Sequence, residues 1–227
     1  EADVCRAQGR AADAVAKMNE ARTLADSATT SPESEWIVSF VKGRVLYQGV
    51  AVANQGPQRP PDLVEACRLF ERAAILNPDF VLAWFFFGDS AKLLGQYRTA
   101  QTAFLRGRQM VSGHAAMHYM YADTLIQWAG EHIRTRQAAA RENKPVPRNI
   151  PEAYESFRML VDAINICRDV KEANRFQNPE QPIVCSLIQV NGYVFRIVGL
   201  QLLGRNPEAE RVRAEASQVV REGEAIP

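Results

Sequence analysis

Two histidines, His114 and His118, stand four residues apart, a spacing that puts both imidazoles on one face of a helix, where they could ligate a metal. No nearby Cys or Glu completes such a set, so the pattern favours histidines with a structural role. The four cysteines, Cys5, Cys67, Cys167 and Cys185, lack any C-x-x-C spacing, which argues against a zinc or thioredoxin-type site. Cys167 and Cys185 fall near the end of one expected helix and the start of the next. An antiparallel pair would bring them within bonding distance; the alternative is buried thiols acting as small hydrophobes. No glycine-rich phosphate loop, H-E-x-x-H or G-x-S-x-G pattern occurs. Carboxylates are spread over the chain without a pair to nominate for acid–base work, so the expectation is a non-enzymatic protein with no cofactor and no metal. From Arg134 to Arg148, the cations Arg134, Arg136, Arg141, Lys144 and Arg148 stand against only Glu142. That run reads as a solvated helix end and loop, with a docking patch for an acidic partner as the alternative.

Whatever these residues do, helices must position them. The chain has 227 residues, 47% hydrophobic and 23% charged, enough apolar material for a continuous core. A net charge of +1 gives no global reason to expect nucleic acid or an anionic membrane as partner. No apolar run approaches the roughly 20 residues that span a bilayer, so no membrane span is expected. Apolar periodicity and its breaks predict helices at 9–28, 34–54, 61–76, 79–95, 97–111, 114–142, 150–172, 181–203 and 206–223. Asn77-Pro78-Asp79 stops one helix and starts the next, with Asp79 as the expected N-cap. Gly95-Gln96 and Ser112-Gly113 are tight turns, and Pro145-Val146-Pro147 favours an extended connection. The whole chain, 1–227, reads as one domain.

A period organises these helices. Ala66, Phe70 and Ala73 recur 34 residues later as Ala100, Phe104 and Gly107. Small residues let helix backbones approach, and large ones fill the hollows between them. Trp84, Phe87, Gly88 and Ala91, followed by Ala100 and Phe104, and before them Ala66, Phe70, Ala73 and Pro78, resemble the tetratricopeptide repeat pattern W-x₂-L-G-x₂-Y, A-x₃-F, P. The clearest repeats lie within 62–114. Weaker matches occur at Ala14, Met18 and Ala21, at Ala153 and Phe157, and at Ala209 and Ala216, where Arg213 takes the aromatic slot. Their wider spacing implies that some helices are elongated. The resemblance implies an all-α fold, a right-handed superhelical solenoid of helical hairpins, with Trp84 as a packing residue.

It also implies where a partner would bind. In this family the first helix of each hairpin lines a concave groove, and the positions after the tryptophan and glycine slots face into it. Here those positions are Phe85 and Asp89, then Tyr119 and Asp123, with Lys92 one turn beyond Asp89. An aromatic and an acid repeating in register suit an extended or helical peptide with apolar and basic side chains. The family's chaperone-tail receptors carry Lys and Asn at the first two slots, so an acidic chaperone tail is not the expected ligand. The expected function is a non-catalytic protein-interaction scaffold binding a protein or peptide. The alternative is a subunit that self-associates head to tail through its ends, where Val212, Ala216, Val219 and Val220 share one helix face and no later helix follows to cover them.

Overall fold

The computed structural model describes residues 11–28, 31–53, 61–142, 150–173, 176 and 180–224. Cys5, Lys144, Arg148 and the Pro145-Val146-Pro147 connection lie outside them, as do the side chains of Ala14, Met18 and Ala153 that carried two of the weaker repeat matches. The described residues form nine α-helices and no strand: α1 Ala11–Ser27, α2 Glu35–Ala53, α3 Pro61–Leu76, α4 Val81–Leu93, α5 Tyr97–Met110, α6 Ala115–Arg141, α7 Ile150–Glu172, α8 Gln181–Leu202 and α9 Asn206–Glu224. Each begins and ends within two residues of the span expected from periodicity. The wide repeat spacings after Ala100 are taken up by α6, α7 and α8, which run for 27, 23 and 22 residues against 13 for α4. The chain divides into two compact units, residues 1–110 and 111–227.

In the first unit each helix packs on its neighbour in sequence, from α1 through α5. Helix α3 shows why: Leu63, Ala66, Cys67, Phe70, Ala73 and Ala74 recur at helical spacing and are buried. Glycines seat the large side chains. A Cβ at Gly43 would come within 2.9 Å of the Phe70 ring, and one at Gly88 within 2.9 Å of the Phe104 ring. Each hairpin, α2–α3 and α4–α5, therefore closes by lowering a phenylalanine of its second helix onto a glycine of its first.

Helix α4 begins at Val81 with Phe80 as its N-cap residue, so Asp79 is not the cap. The cause is aromatic packing. The Phe80 ring lies 4.9 Å from Trp36 and 4.8 Å from Phe40, and anchoring it there leaves Asp79 exposed in the turn. Trp84 is half-buried against Ala73, Ala74 and Ala83, and its indole N–H donates to the Pro78 carbonyl at 2.8 Å.

In the second unit α8 packs against α6, α7 and α9. By length and composition α8 is apolar enough to cross a membrane, with a mean hydropathy of 1.6 over its most apolar window. Gln189, Asn191 and Arg196 interrupt its apolar run, so the helix holds no unbroken apolar stretch of about 20 residues. The three helices around α8 bury 39% of that window, and Ile183, Leu187 and Val194 stay exposed. Tyr193 and Leu200 of α8 join Ile164, Ala209, Val212 and Val219 in one buried cluster. The stripe expected to stand uncovered on α9 is thus closed within its own unit. Val212 and Val219 are 3% and 7% exposed, and only Val220 remains open.

Candidate interaction surfaces

Three of the residues read as groove-lining, Phe85, Asp89 and Lys92, lie on α4 in the first unit. Phe85 is half-buried, edge-on to Phe86 at 5.2 Å and to Phe104 at 6.1 Å. Asp89 and Lys92, one turn apart, form an ion pair at 3.2 Å with side chains 15% and 12% exposed. The carboxylate also accepts the hydroxyl of Tyr47 from α2. Burial, then the Asp89 charge beside it, pushes the Tyr47 phenol well above its ordinary range, and Arg44 opposes this only in part. Arg44 itself lies over the Phe86 ring, 4.0 Å from its centre. The result is a fixed acid on an aromatic bed. Its carboxylate is oriented by two partners yet retains lone pairs for a third donor.

Tyr47 and Arg44 escaped the sequence reading because helix α2 carries no match to the repeat pattern. The available signal was their spacing of three, which puts a phenol and a guanidinium on one helix face.

Tyr119 and Asp123 lie on α6 in the second unit. Tyr119 is buried, with 9% of its surface exposed, and burial raises its phenol, with Cys185 adding to the shift. Asp123 is half-buried and accepts a long hydrogen bond from Gln127 at 3.4 Å. Their surroundings are the cysteine pair on α7 and α8. Cys167 and Cys185 are both fully buried free thiols, and the Cys185 S–H donates to the Cys167 carbonyl at 3.4 Å. Contact with Cys185, then burial, drives the Cys167 thiol upward, so Cys167 keeps its proton. Contact with Cys167 draws Cys185 down against burial, with Lys171 assisting. The helix pair brings the two cysteines together, as the antiparallel reading required, and the structure holds them as thiols. Cys67 is also a buried free thiol, raised by burial.

Of the histidines His114 and His118, His118 is hydrogen-bonded, whereas the buried His114 Nδ1 has no hydrogen-bond partner among the described residues. His118 Nε2 makes a hydrogen bond with the Ser112 carbonyl at 3.0 Å, and His114 is the N-cap residue of α6, ahead of the helix rather than on its face. Among the described residues no group of three or more His, Cys, Asp or Glu could hold a metal. His132 Nδ1 and Ser156 Oγ stand 3.0 Å apart, the spacing of a base and a nucleophile. The pair ties α6 to α7 beside a cavity of about 30 Å³. Of the basic run, Arg134 lies 5.4 Å from the Phe195 ring centre, in cation–π contact.

No protein-family model and no curated protein sequence matches this chain.

Proposed function

We propose that the protein is a non-catalytic interaction scaffold of tetratricopeptide type, a right-handed solenoid of helical hairpins that binds a peptide or protein partner on its concave face. The observation that supports it best is the repeated seat of an aromatic on a glycine, Phe70 over Gly43 and then Phe104 over Gly88. A chain that closes successive hairpins by one device builds a regular stack, and a regular stack presents a long face with side chains in register.

Phe85, Asp89 and Lys92 are the partner-contacting residues in the first unit. Asp89 already exchanges charge with Lys92, so a basic side chain of the partner can take over that position while Tyr47 holds the carboxylate in place. In the second unit the corresponding aromatic and acid are Tyr119, which is buried, and Asp123. The ligand class is an extended or helical peptide with alternating apolar and basic side chains.

The test is to select binders from a random peptide display library and titrate them by calorimetry against wild type and the Asp89→Asn, Asp123→Asn double variant. Selected peptides should be basic and apolar. The double variant should weaken binding by about 1–3 kcal/mol, the worth of charged hydrogen bonds, with its thermal melt retained. Unchanged affinity would remove these residues from the interface. The alternative, a self-assembling subunit, keeps only Val220 as an exposed member of its α9 stripe. Light scattering separates the two: a scaffold holds one mass across protein concentration, and a stacking subunit grows.

A further inference from the structure

A cavity of about 470 Å³ opens in the second unit between α7, α8 and the first half of α9, within the usual range for small-ligand sites. Its floor is apolar. Phe157, Val161, Leu200 and Val212 line it, and the last two belong to the buried core of the unit. Its rim is cationic, with Arg158, Arg196, Arg205 and Arg211 set against Glu208 and Glu215.

The four guanidiniums are not equally engaged. Glu208 holds Arg205 in a two-point contact. Glu215 reaches Arg196 only at 3.8 Å. Arg158 and Arg211 have no hydrogen-bond or ion-pair partner among the described residues. The first unit shows the contrast. Its cavity of about 320 Å³ carries Arg22, Lys42 and Arg68, but both arginines are paired, with Asp62 and Glu65, and Asp26 also lines it.

A guanidinium stays charged at every pH the fold meets, and its fork matches two oxygens of an oxyanion. Two uncompensated forks beside an apolar floor define a ligand with a doubly charged oxyanion head on an apolar body. A phosphomonoester has that charge near neutral pH and offers three acceptor oxygens on one centre, enough acceptors for two forks.

We propose that this cavity binds a small phosphomonoester with an apolar or aromatic body. Arg158 and Arg211 hold the phosphoryl group, Arg196 and Arg205 add to the attracting field, and the body rests on Phe157, Val161, Leu200 and Val212. The site does not depend on the peptide-binding reading and shares no residue with it.

Phenyl phosphate is the probe, titrated into the full chain by calorimetry at low salt and pH 7.5. Saturable binding of one molecule per chain is expected. Inorganic phosphate lacks the apolar body and benzenesulfonate lacks the second charge; each should bind roughly tenfold more weakly. Arg158→Gln and Arg211→Gln should each weaken phenyl phosphate by roughly tenfold. Glu215→Gln, which releases Arg196, should tighten it several-fold. That gain is an effect a damaged fold does not produce, so it keeps the test decisive if an arginine variant melts early. Absence of saturable binding would overturn the proposal. So would affinity unchanged in both arginine variants and in Glu215→Gln. Tighter binding of phthalate, which places two charges on separate carboxylates, would overturn the phosphomonoester assignment.

Discussion

The α4–α5 hairpin of the first unit and the α8–α9 hairpin of the second turn the chain by the same device and then pack different things. Helix α4 ends at Leu94-Gly95 and α8 at Leu203-Gly204, with glycine φ values of 72° and 71°. In the first turn Gln96 N–H reaches back to the Ala91 carbonyl and Gly95 N–H to Lys92. In the second Arg205 N–H reaches Leu200 and Gly204 N–H reaches Gln201. These are the paired 6→1 and 5→2 bonds of a Schellman cap. Counted from the two glycines, Ala100 corresponds to Ala209 and Gly107 to Ala216, so the second helix keeps these two small positions. The plug and its socket are not kept. Phe104 corresponds to Arg213, Gly88 to Ile197 and Phe87 to Arg196. Where the first hairpin drives an aromatic into a glycine socket, the second puts arginine at the plug position and carries Arg196 on the rim of an open cavity. A shared turn therefore fixes how helices meet, while residues one to two turns away decide whether the space between them is filled or left as a site.

The sharpest way to break this comparison is to remove the plug. Phe104 is fully buried, so Phe104→Ala should cost about 3–5 kcal/mol, the transfer loss plus the cavity left over Gly88. Arg213 pairs only with Glu210 on an exposed face, and Arg213→Ala should change stability by less than about 0.5 kcal/mol. Urea unfolding of the two variants measures the difference directly. Equal losses would mean that the two positions are not alike in register and that Arg213 packs as Phe104 does.

This contrast also shows what was legible in the residues. Helix ends were, because Gly, Pro and the apolar period act locally: the glycines after Leu94 and Leu203 mark their turns wherever the helices go. Asp79 misled, because a local capping preference lost to the longer-range pull of Phe80 toward Trp36 and Phe40. The α9 stripe misled for the reverse reason. Val212 and Val219 seemed uncovered only because their cover, Tyr193 and Leu200, lies on the preceding helix rather than a later one. The acid at Asp89 was visible as a position, but its partner Tyr47 sits 42 residues earlier, and no local pattern links the two. The arginine-rimmed cavity was hidden for the same reason, since its walls come from three helices and its cations are spread from Arg158 to Arg211.

A second difference between the hairpins can be tested at Asp89. Its counterpart on α8 is Val198, so of the two hairpins the first alone carries a half-buried acid at this position, tied to another helix. Tyr47→Phe removes that tie and should cost about 2 kcal/mol, the worth of a hydrogen bond to a charged acceptor. The pH dependence gives the sign. Folding raises the Tyr47 phenol above its unfolded value, through burial first and Asp89 second, so the folded state holds a proton that the unfolded state loses. Its contribution is full below about pH 10 and is lost as pH rises beyond that, toward the raised folded value. Stability measured by urea between about pH 9 and pH 11 should fall more steeply for wild type than for Tyr47→Phe. Parallel curves would show that Tyr47 titrates as an exposed tyrosine does.

The smallest expected effects fall on the feature the hairpins share. At φ near +70° an L side chain meets its own carbonyl, so Gly95→Ala and Gly204→Ala should each cost about 1 kcal/mol. The two losses should agree within a few tenths, because both the angles and the capping bonds match. Asn at either position should lose less than Ala, since its short polar side chain tolerates the left-handed region. The two glycines sit in different compact units, and this gives the measurement a second readout. If the units unfold in separate steps, Gly95→Ala shifts one transition of a urea curve and Gly204→Ala shifts the other; if they unfold together, both shift the same midpoint by the same amount. A Gly95 loss well above that of Gly204 would place the difference between the hairpins in the turn itself, and not in the plug and socket beyond it.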